Sequence, residues 1–508
     1  MSFFDAGSVG IRVISSFRRR RDKGFSHVRG YLTLKLARRR ISLTLHPNSM
    51  EHHERPTLEG KRSDSEVEKV VVKTSTETTA GGGGGVEIEY PEGGITAWLT
   101  VLGAFMINFC GFGYTTAFGV YQDFYVRDYL SNSSPSAISW IGSVNALLGV
   151  AFSLISGPLY DRGYVRPVIY LGCFIQALSL FMLSFCQPQQ LYQVLLTQGI
   201  GLGIGLGITY VPSVAVVSHY FHRRRSLVMA LTQAGTPLGG LVHPILLNNL
   251  LPHPGSKHRL SFAGATRVSA ALGSLFLLMG CLLVRPRPGI IAPVRPTAPT
   301  HKTSMSATLW RSLKSAARDR PYVIATIAMF SYIIAFWYPI FFLQLDATTH
   351  GMNETFAFYV LVIMNSTGLV GRLTAGFLAE YFGVTLVITV STAAGTLLIF
   401  SMLLLKTVAS VVVLAAIQGV FIGVYAGLLP SLLASLTDDF TEVGLRMGIS
   451  FTVEGIGGLI GPPLCGALLT SHFVWWRPTL FSAIMGLVGC LLFTVATVLV
   501  RRKRAHVG

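Results

Sequence analysis

The chain is predicted to be an all-α membrane protein, with twelve transmembrane helices in two pseudo-symmetric bundles of six. Three observations predict this. Apolar runs of about twenty residues recur twelve times, basic residues gather in alternate loops, and the second six runs echo the first at a constant offset.

Composition sets the solvent. Of 508 residues, 51% are hydrophobic and 13% charged, and the mean hydropathy is +0.54. A soluble protein of this length would interleave charged surface with its cores, whereas here charge nearly vanishes for a span at a time. The net charge of +18 raises nucleic acid as a partner, but its placement argues against that class. Much of the excess lies in a tail holding Arg12, Arg18, Arg19, Arg20, Arg21, Lys23, Arg29, Lys35, Arg38, Arg39 and Arg40, and the rest lies in short loops. That distribution follows from retention of positive charge on the cytosolic side.

Residues 1–94 read as a basic cytosolic tail that forms no core, with a flexible stretch from Gly81 to Gly85. Scarce acids before His46 also resemble a mitochondrial transit segment, and Ile11 to Leu45 has a composition suited to anionic lipid. No cleavable signal peptide is expected, so the first span directs insertion.

The first bundle, 95–284, contains spans near Ala97–Val120, Ala137–Gly157, Pro167–Cys186, Leu191–Val211, Leu227–Leu247 and Phe262–Val284. A basic, Pro-rich cytosolic linker follows over 285–320. The second bundle, 321–500, contains spans near Tyr322–Leu345, Phe356–Ala379, Val384–Leu405, Val408–Leu429, Val443–Leu469 and Pro478–Val500, and residues 501–508 form a short basic tail. Arg162, Arg166, Arg223, Arg224, Arg225, the linker and Arg501 to Arg504 fall on one side, against which Lys257, Arg259 and Lys406 are exceptions. Both termini are therefore expected in the cytosol. The plasma membrane is the first expectation, and vacuolar or mitochondrial membranes share the same helix pattern.

The halves read as repeats. A shift of 219 lays Gly157, Leu159 and Asp161 on Gly376, Leu378 and Glu380, and Phe221, Gly239 and Pro244 on Phe440, Gly458 and Pro463. Near the same shift, Gln198-Gly199 and Pro212-Ser213 are echoed by Gln418-Gly419 and Pro430-Ser431. Two such bundles about an axis along the membrane normal suit a carrier, because their interface can open alternately to each side. Small residues support close helix approach, namely Gly199, Gly201, Gly203, Gly205 and Gly207 in the fourth span and Gly455, Gly457, Gly458 and Gly461 in the eleventh.

The segment Gly157-Pro-Leu-Tyr-Asp161-Arg162 resembles the loop signature of the major facilitator superfamily, with a weaker copy at Gly376 to Glu380. Pro91-Glu-Gly-Gly94 with Trp98, and Tyr220-Phe-His-Arg-Arg-Arg225-Ser-Leu227 running to Gly235 and Gly239, resemble the two signatures of the monocarboxylate transporter family, especially its fungal branch. The resemblance implies the major facilitator fold and alternating access, usually proton-linked, for a monocarboxylate or similar small solute. It also implies a conformational latch in which Asp161 meets the N-terminal end of the eleventh helix, where exposed peptide N–H groups favour an anion. Arg162, Glu380 and Arg446 are grouped with this latch.

Charge inside the spans is scarce, as its cost demands. Arg372 lies eight residues before Glu380 and Glu454 eight residues after Arg446, so both sit ~12 Å from the cytosolic end of their helices. The repeat places Ser153 opposite Arg372 and Gly235 opposite Glu454, so the duplicated scaffold requires neither. Arg372 is expected to hold a substrate carboxylate, matching the arginine that the monocarboxylate family uses for its anion, and Glu454 to exchange a proton. The alternative is a mutually satisfied pair that only fixes packing. Two positions depart from that family: Gly368 stands where it often has an aspartate, and Thr116 where well-studied members carry a lysine.

Further candidates for the cavity wall are Asn108, Tyr114, Thr116, Asn145, Gln233, Tyr332, Trp337, Asn365 and Tyr425. Arg267 is expected to reach the outer interface, and His243 to be a packing histidine. Cys110, Cys173, Cys186, Cys281, Cys465 and Cys490 all fall in or beside spans without a metal-binding spacing, and read as small core residues. No phosphate loop, HExxH motif or catalytic constellation occurs in a soluble segment, so an enzyme is not expected and no cofactor or metal is called for. The expected partners are a small-molecule substrate, with or without H+, and the bilayer, and the expected state is a monomer. Rival readings are a carrier of a vitamin or steroid-like solute, a nutrient sensor that does not transport, and partner or nucleic-acid binding by the basic tail.

Overall fold

In the computed structural model, residues 90–251, 260–287, 313–349, 354–405, 407–437, 442–469 and 474–507 are described. The readings placed on residues 1–89 and on most of the linker lie outside the described residues.

Hydropathy makes these segments helical in lipid, where every backbone group must find its partner within the chain. Local chemistry then sets the ends. The first crossing, α1 (Ile95–Tyr129), follows a turn in which Glu92 has φ 52° and Gly94 φ 98°. The second, α2, joins Pro135–Ala151 to Ser153–Asp161. It opens with Ser134, whose side chain accepts from Ala137 N–H, and with Pro135 at the first helical position. Gly163, at φ 86°, turns the chain into α3 (Val165–Leu183), and α4 (Leu191–His219) follows. The fifth crossing, α5, is two helices, Arg225–Gln233 and Gly235–Leu250, interrupted at Ala234. Ser261 caps α6 (Phe262–Leu283).

The second half repeats this order with α7 (Arg320–Thr349), α8 (Glu354–Phe382), α10 (Val408–Ser435), α11 (Val443–Leu469) and α12 (Trp476–Val507), and α9 (Val384–Leu404) lies between α8 and α10. Thr407 and Ser410 form a reciprocal capping box at the start of α10. Among the described residues, eleven helices are long and apolar enough to cross a membrane, and the two pieces of α5 make the twelfth crossing. The helix expected to stop near Val500 continues through Arg501 to Val507, since no breaker interrupts it.

The halves meet through repeat-related pairs, α2 against α11 and α5 against α8, and α4 also touches α11. Close approach requires glycine at two places along the crossing of α2 and α11. A Cβ on Gly157 would collide with the Gly444 carbonyl, and one on Gly448 with the Ser153 carbonyl. One buried cluster crosses the interface, from Val211 and Tyr210 to Phe451 and Tyr425, while two others fill the outer parts of each half around Tyr121 and Tyr338. Side chains such as Leu282, Leu397 and Tyr381 stand exposed on the perimeter, the face that acyl chains cover in a membrane protein.

Candidate functional site

Helix packing places Arg372 at the interface. In α8, Gly371 lies against the Val420 main chain of α10, and in α10 Gly423 lies against the Gly368 carbonyl. This close crossing requires glycine at 371 and 423, whereas a Cβ on Gly368 would stand 3.4 Å from the Gly419 carbonyl, an ordinary contact. The Arg372 stem then passes Gly427, where a Cβ would stand 3.2 Å from its Cγ. The guanidinium reaches into the other half, and its Nη1 donates to the Gln233 main-chain carbonyl at 2.5 Å.

That carbonyl is available for a local reason. In a continuous helix it would accept from the residue four positions on, which is Pro237 and has no N–H. The same residue's side chain donates from Nε2 to the Tyr210 hydroxyl at 2.8 Å, while its Oε1 is buried without a partner. The Tyr210 ring packs on Phe112 in its own half and on Phe451 in the other, at 4.8 and 5.1 Å between centroids.

Glu454, 6% exposed, accepts from the Tyr425 hydroxyl at 3.2 Å. The Tyr425 ring lies 4.5 Å from that of Tyr332 and 5.7 Å from that of Phe336. Among the described residues, Arg372 and Glu454 make no ion pair with each other. The centre therefore holds a cation and a carboxyl on separate partners, the Gln233 carbonyl and the Tyr425 hydroxyl.

The other candidates divide by location. Gln233 and Tyr425 belong to this layer, with Tyr332 buried behind Tyr425, and half-buried Trp337 brings its indole Nε1 to 3.0 Å from where a Cβ of Gly458 would lie. Thr116 and Asn365 approach one another across Gly240, whose Cβ would stand 2.6 Å from Thr116 Oγ1 and 3.8 Å from Asn365 Oδ1. Asn108, Tyr114 and Asn145 are engaged inside the first half. Asn108 donates to the Ala104 carbonyl, Tyr114 shares a 2.7 Å hydrogen bond with Tyr121, and Asn145 donates to the Gln198 carbonyl. Arg267 donates to Ser184 and lies over the Phe185 ring, and His243 is buried between the rings of Phe109 and Tyr114.

At the basic end of the bundle, Asp161 caps α11, its two oxygens accepting from the Gly444 and Leu445 peptide N–H groups at 2.7 Å each. Carboxylate and helix N-terminus attract one another there. Arg162 follows at the end of α2, its peptide N–H donating to the Pro158 carbonyl. Arg446 pairs with Asp319 at 2.7 Å and Glu442 at 3.3 Å, and Tyr322 donates to its carbonyl. The Glu380 side chain is exposed and has no hydrogen bond or ion pair among the described residues. The carboxylate beside the start of α5 is instead Glu92, whose Oε1 accepts from the His222 and Arg223 N–H groups at 2.8 and 2.6 Å.

Tyr210, Pro237 and Glu92 escaped the sequence reading. Tyr210 had a usable signal. At the offset that matches Pro212 with Pro430 it faces Leu428, a departure from the repeat of the same kind that marks Arg372. Glu92 lay in a flagged segment, Pro91 to Gly94, and its partners in the other, Tyr220 to Leu227, but no role or contact could be read from either, because its partners are peptide groups.

Comparison with known proteins places the chain among membrane transporters. The family model described as Major Facilitator Superfamily matches residues 95–412 and 326–507. The aspyridones efflux protein of Emericella nidulans is 33% identical over 404 residues, covering 79% of this chain and 78% of the relative. The agnestins efflux protein of Paecilomyces divaricatus is 29% identical over 398 residues, or 78% and 86% of the two chains. Among solved structures, the Escherichia coli fucose:proton symporter aligns with a TM-score of 0.62 at 18% identity, covering 79% of this chain and 98% of that one. The human organic anion transporter MFSD10 aligns at 0.59 and 14%, covering 78% and 98%.

Proposed function

Because the chain belongs to the major facilitator superfamily, a family of membrane transporters, we propose that it exports a small organic solute bearing one anionic group, such as a monocarboxylate, by alternating access. One observation carries this reading. Arg372 stands half-buried between the halves, and among the described residues its only hydrogen bond goes to a neutral main-chain carbonyl. A guanidinium removed from bulk water and left without a carboxylate is costly, and its remaining N–H groups suit the fork of an organic acid.

Glu454 supplies the coupling. A carboxyl beside a hydroxyl and no cation exchanges a proton as the halves move, and intramembrane carboxyls mark such relays. The aromatic layer of Tyr210, Phe112, Phe451 and Trp337 gives the rest of the cargo an apolar wall, which favours a solute larger than a two- or three-carbon acid. The relatives named as efflux proteins support the outward direction. The basic loops and both termini face the cytosol by the positive-inside rule, and the plasma membrane fits an exporter.

Proteoliposomes offered a panel of labelled organic acids, with and without an imposed pH gradient, test this. Saturable flux that Arg372→Gln abolishes is expected, together with exchange that survives Glu454→Gln but no longer responds to the gradient. Flux indifferent to Arg372→Gln overturns the anion site, and unchanged proton-driven flux in Glu454→Gln overturns the coupling role.

A further inference from the structure

The break in α5 falls where the cation of the opposite half arrives. Pro237 denies the Gln233 carbonyl its helical donor, the helix is interrupted at Ala234, and the freed carbonyl is the group that Arg372 Nη1 holds at 2.5 Å. A carbonyl oxygen is a neutral imitation of a carboxylate oxygen. It comes from α5 in the first half, whereas the guanidinium comes from α8 in the second, so the hydrogen bond ties the halves together.

We infer that Pro237 makes the Gln233 carbonyl a resident stand-in for the cargo's anionic group, which incoming cargo displaces from Arg372, so that loading the site also unties α5 from α8. This rests on the reading of Arg372 as the anion-holding residue. Pro237 is thus a positioning residue that acts through Gln233. The empty carrier keeps its cation partly satisfied, and a charged acceptor outcompetes the carbonyl because bonds between ionised partners are stronger than bonds to a neutral acceptor. The Gln233 side chain strengthens the tie, since its Nε2 holds Tyr210, whose ring meets Phe451 across the interface.

The substitution Pro237→Ala returns an N–H to the helix and draws the carbonyl back into it. With a cargo that the wild type moves, the half-saturating concentration is expected to fall roughly threefold to tenfold, the range set by losing one competing charge-assisted hydrogen bond. Pro244→Ala, the same change one helical stretch further on, is expected to leave it unaltered. A cargo-free arm uses spin labels on the basic ends of α5 and α8 in detergent or nanodiscs. Pro237→Ala and Arg372→Gln should each broaden the distance distribution, and the double variant should broaden it no further than Arg372→Gln alone. Additive broadening, or an unchanged half-saturating concentration in Pro237→Ala, overturns this inference. An affinity for cargo that Arg372→Gln leaves unaltered overturns instead the anion reading beneath it.

Discussion

Neutralising the carboxylate that caps α11 is expected to loosen the basic end of the carrier. In Asp161→Asn, one of the two oxygens that accept at 2.7 Å from Gly444 and Leu445 becomes an amide that cannot accept. The attraction between the charge and the helix N-terminus goes with it. A hydrogen bond to a charged group contributes ~1.5 to 3 kcal/mol, and a charge at a helix end ~0.3 to 1 kcal/mol. Allowing for what the remaining oxygen keeps, the closed arrangement loses about 2 kcal/mol, or roughly thirtyfold in its equilibrium with the open one. Ser153→Cys supplies the reporter, because position 153 is fully buried and packs against Gly448 across the interface. With the half-buried Cys186, Cys281 and Cys490 replaced by alanine, alkylation of the new thiol should accelerate roughly thirtyfold when Asp161→Asn is added, an opening-limited rate following the population. Glu380→Gln, the repeat-related change, should leave the rate within about twofold, since it alters no described contact. Alkylation at the unaltered rate in Asp161→Asn would refute the latch.

Other outcomes follow from the same structure. Arg446→Ala leaves Asp319 and Glu442 without the cation they share, at a cost of ~3 to 5 kcal/mol for breaking a largely buried pair from one side; thermal unfolding in detergent should show the loss, and Asp319→Ala should restore part of it. Gly423→Val drives a side chain into the Gly368 carbonyl, so size-exclusion of a fluorescent fusion is expected to show little monodisperse protein. Glu92→Ala strips the acceptor from two peptide groups ahead of α5, and amide hydrogen exchange over residues 220–228 should speed up by roughly tenfold, as for a lost cap of about 1 to 2 kcal/mol.

Most of the fold was legible because lipid enforces it. A span of twenty apolar residues leaves little choice but a helix, and the offset of 219 paired α2 with α8 and α5 with α11, four of the helices through which the halves meet. The break at Ala234 was less visible. Pro237 lies in the middle of the expected span Leu227–Leu247 and signals a local disruption, but sequence does not show that a cation from the other half takes the orphaned carbonyl. Arg372 and Glu454 were found because charge is rare in lipid and because each departs from its repeat mate. Their separate partners were not legible, since sequence gives depth along a helix and not the direction in which a side chain points. The latch shows the same limit from the other side. Asp161 and Glu380 occupy equivalent positions, yet one caps a helix and the other faces outward, a difference that arises from how the halves close and not from either residue.

Glu92 has a practical consequence. The segment entering the membrane is stapled to the mouth of a distant crossing by an acid that lies before the first apolar residue. A shortened form trimmed to the hydropathy boundary at Ile95 would discard that staple while keeping every span, and the damage would pass for poor expression. Cutting upstream of Tyr90 preserves it. A purification handle fused flush to Ile95 would set its bulk near the arginines at 223–225, at the basic start of α5.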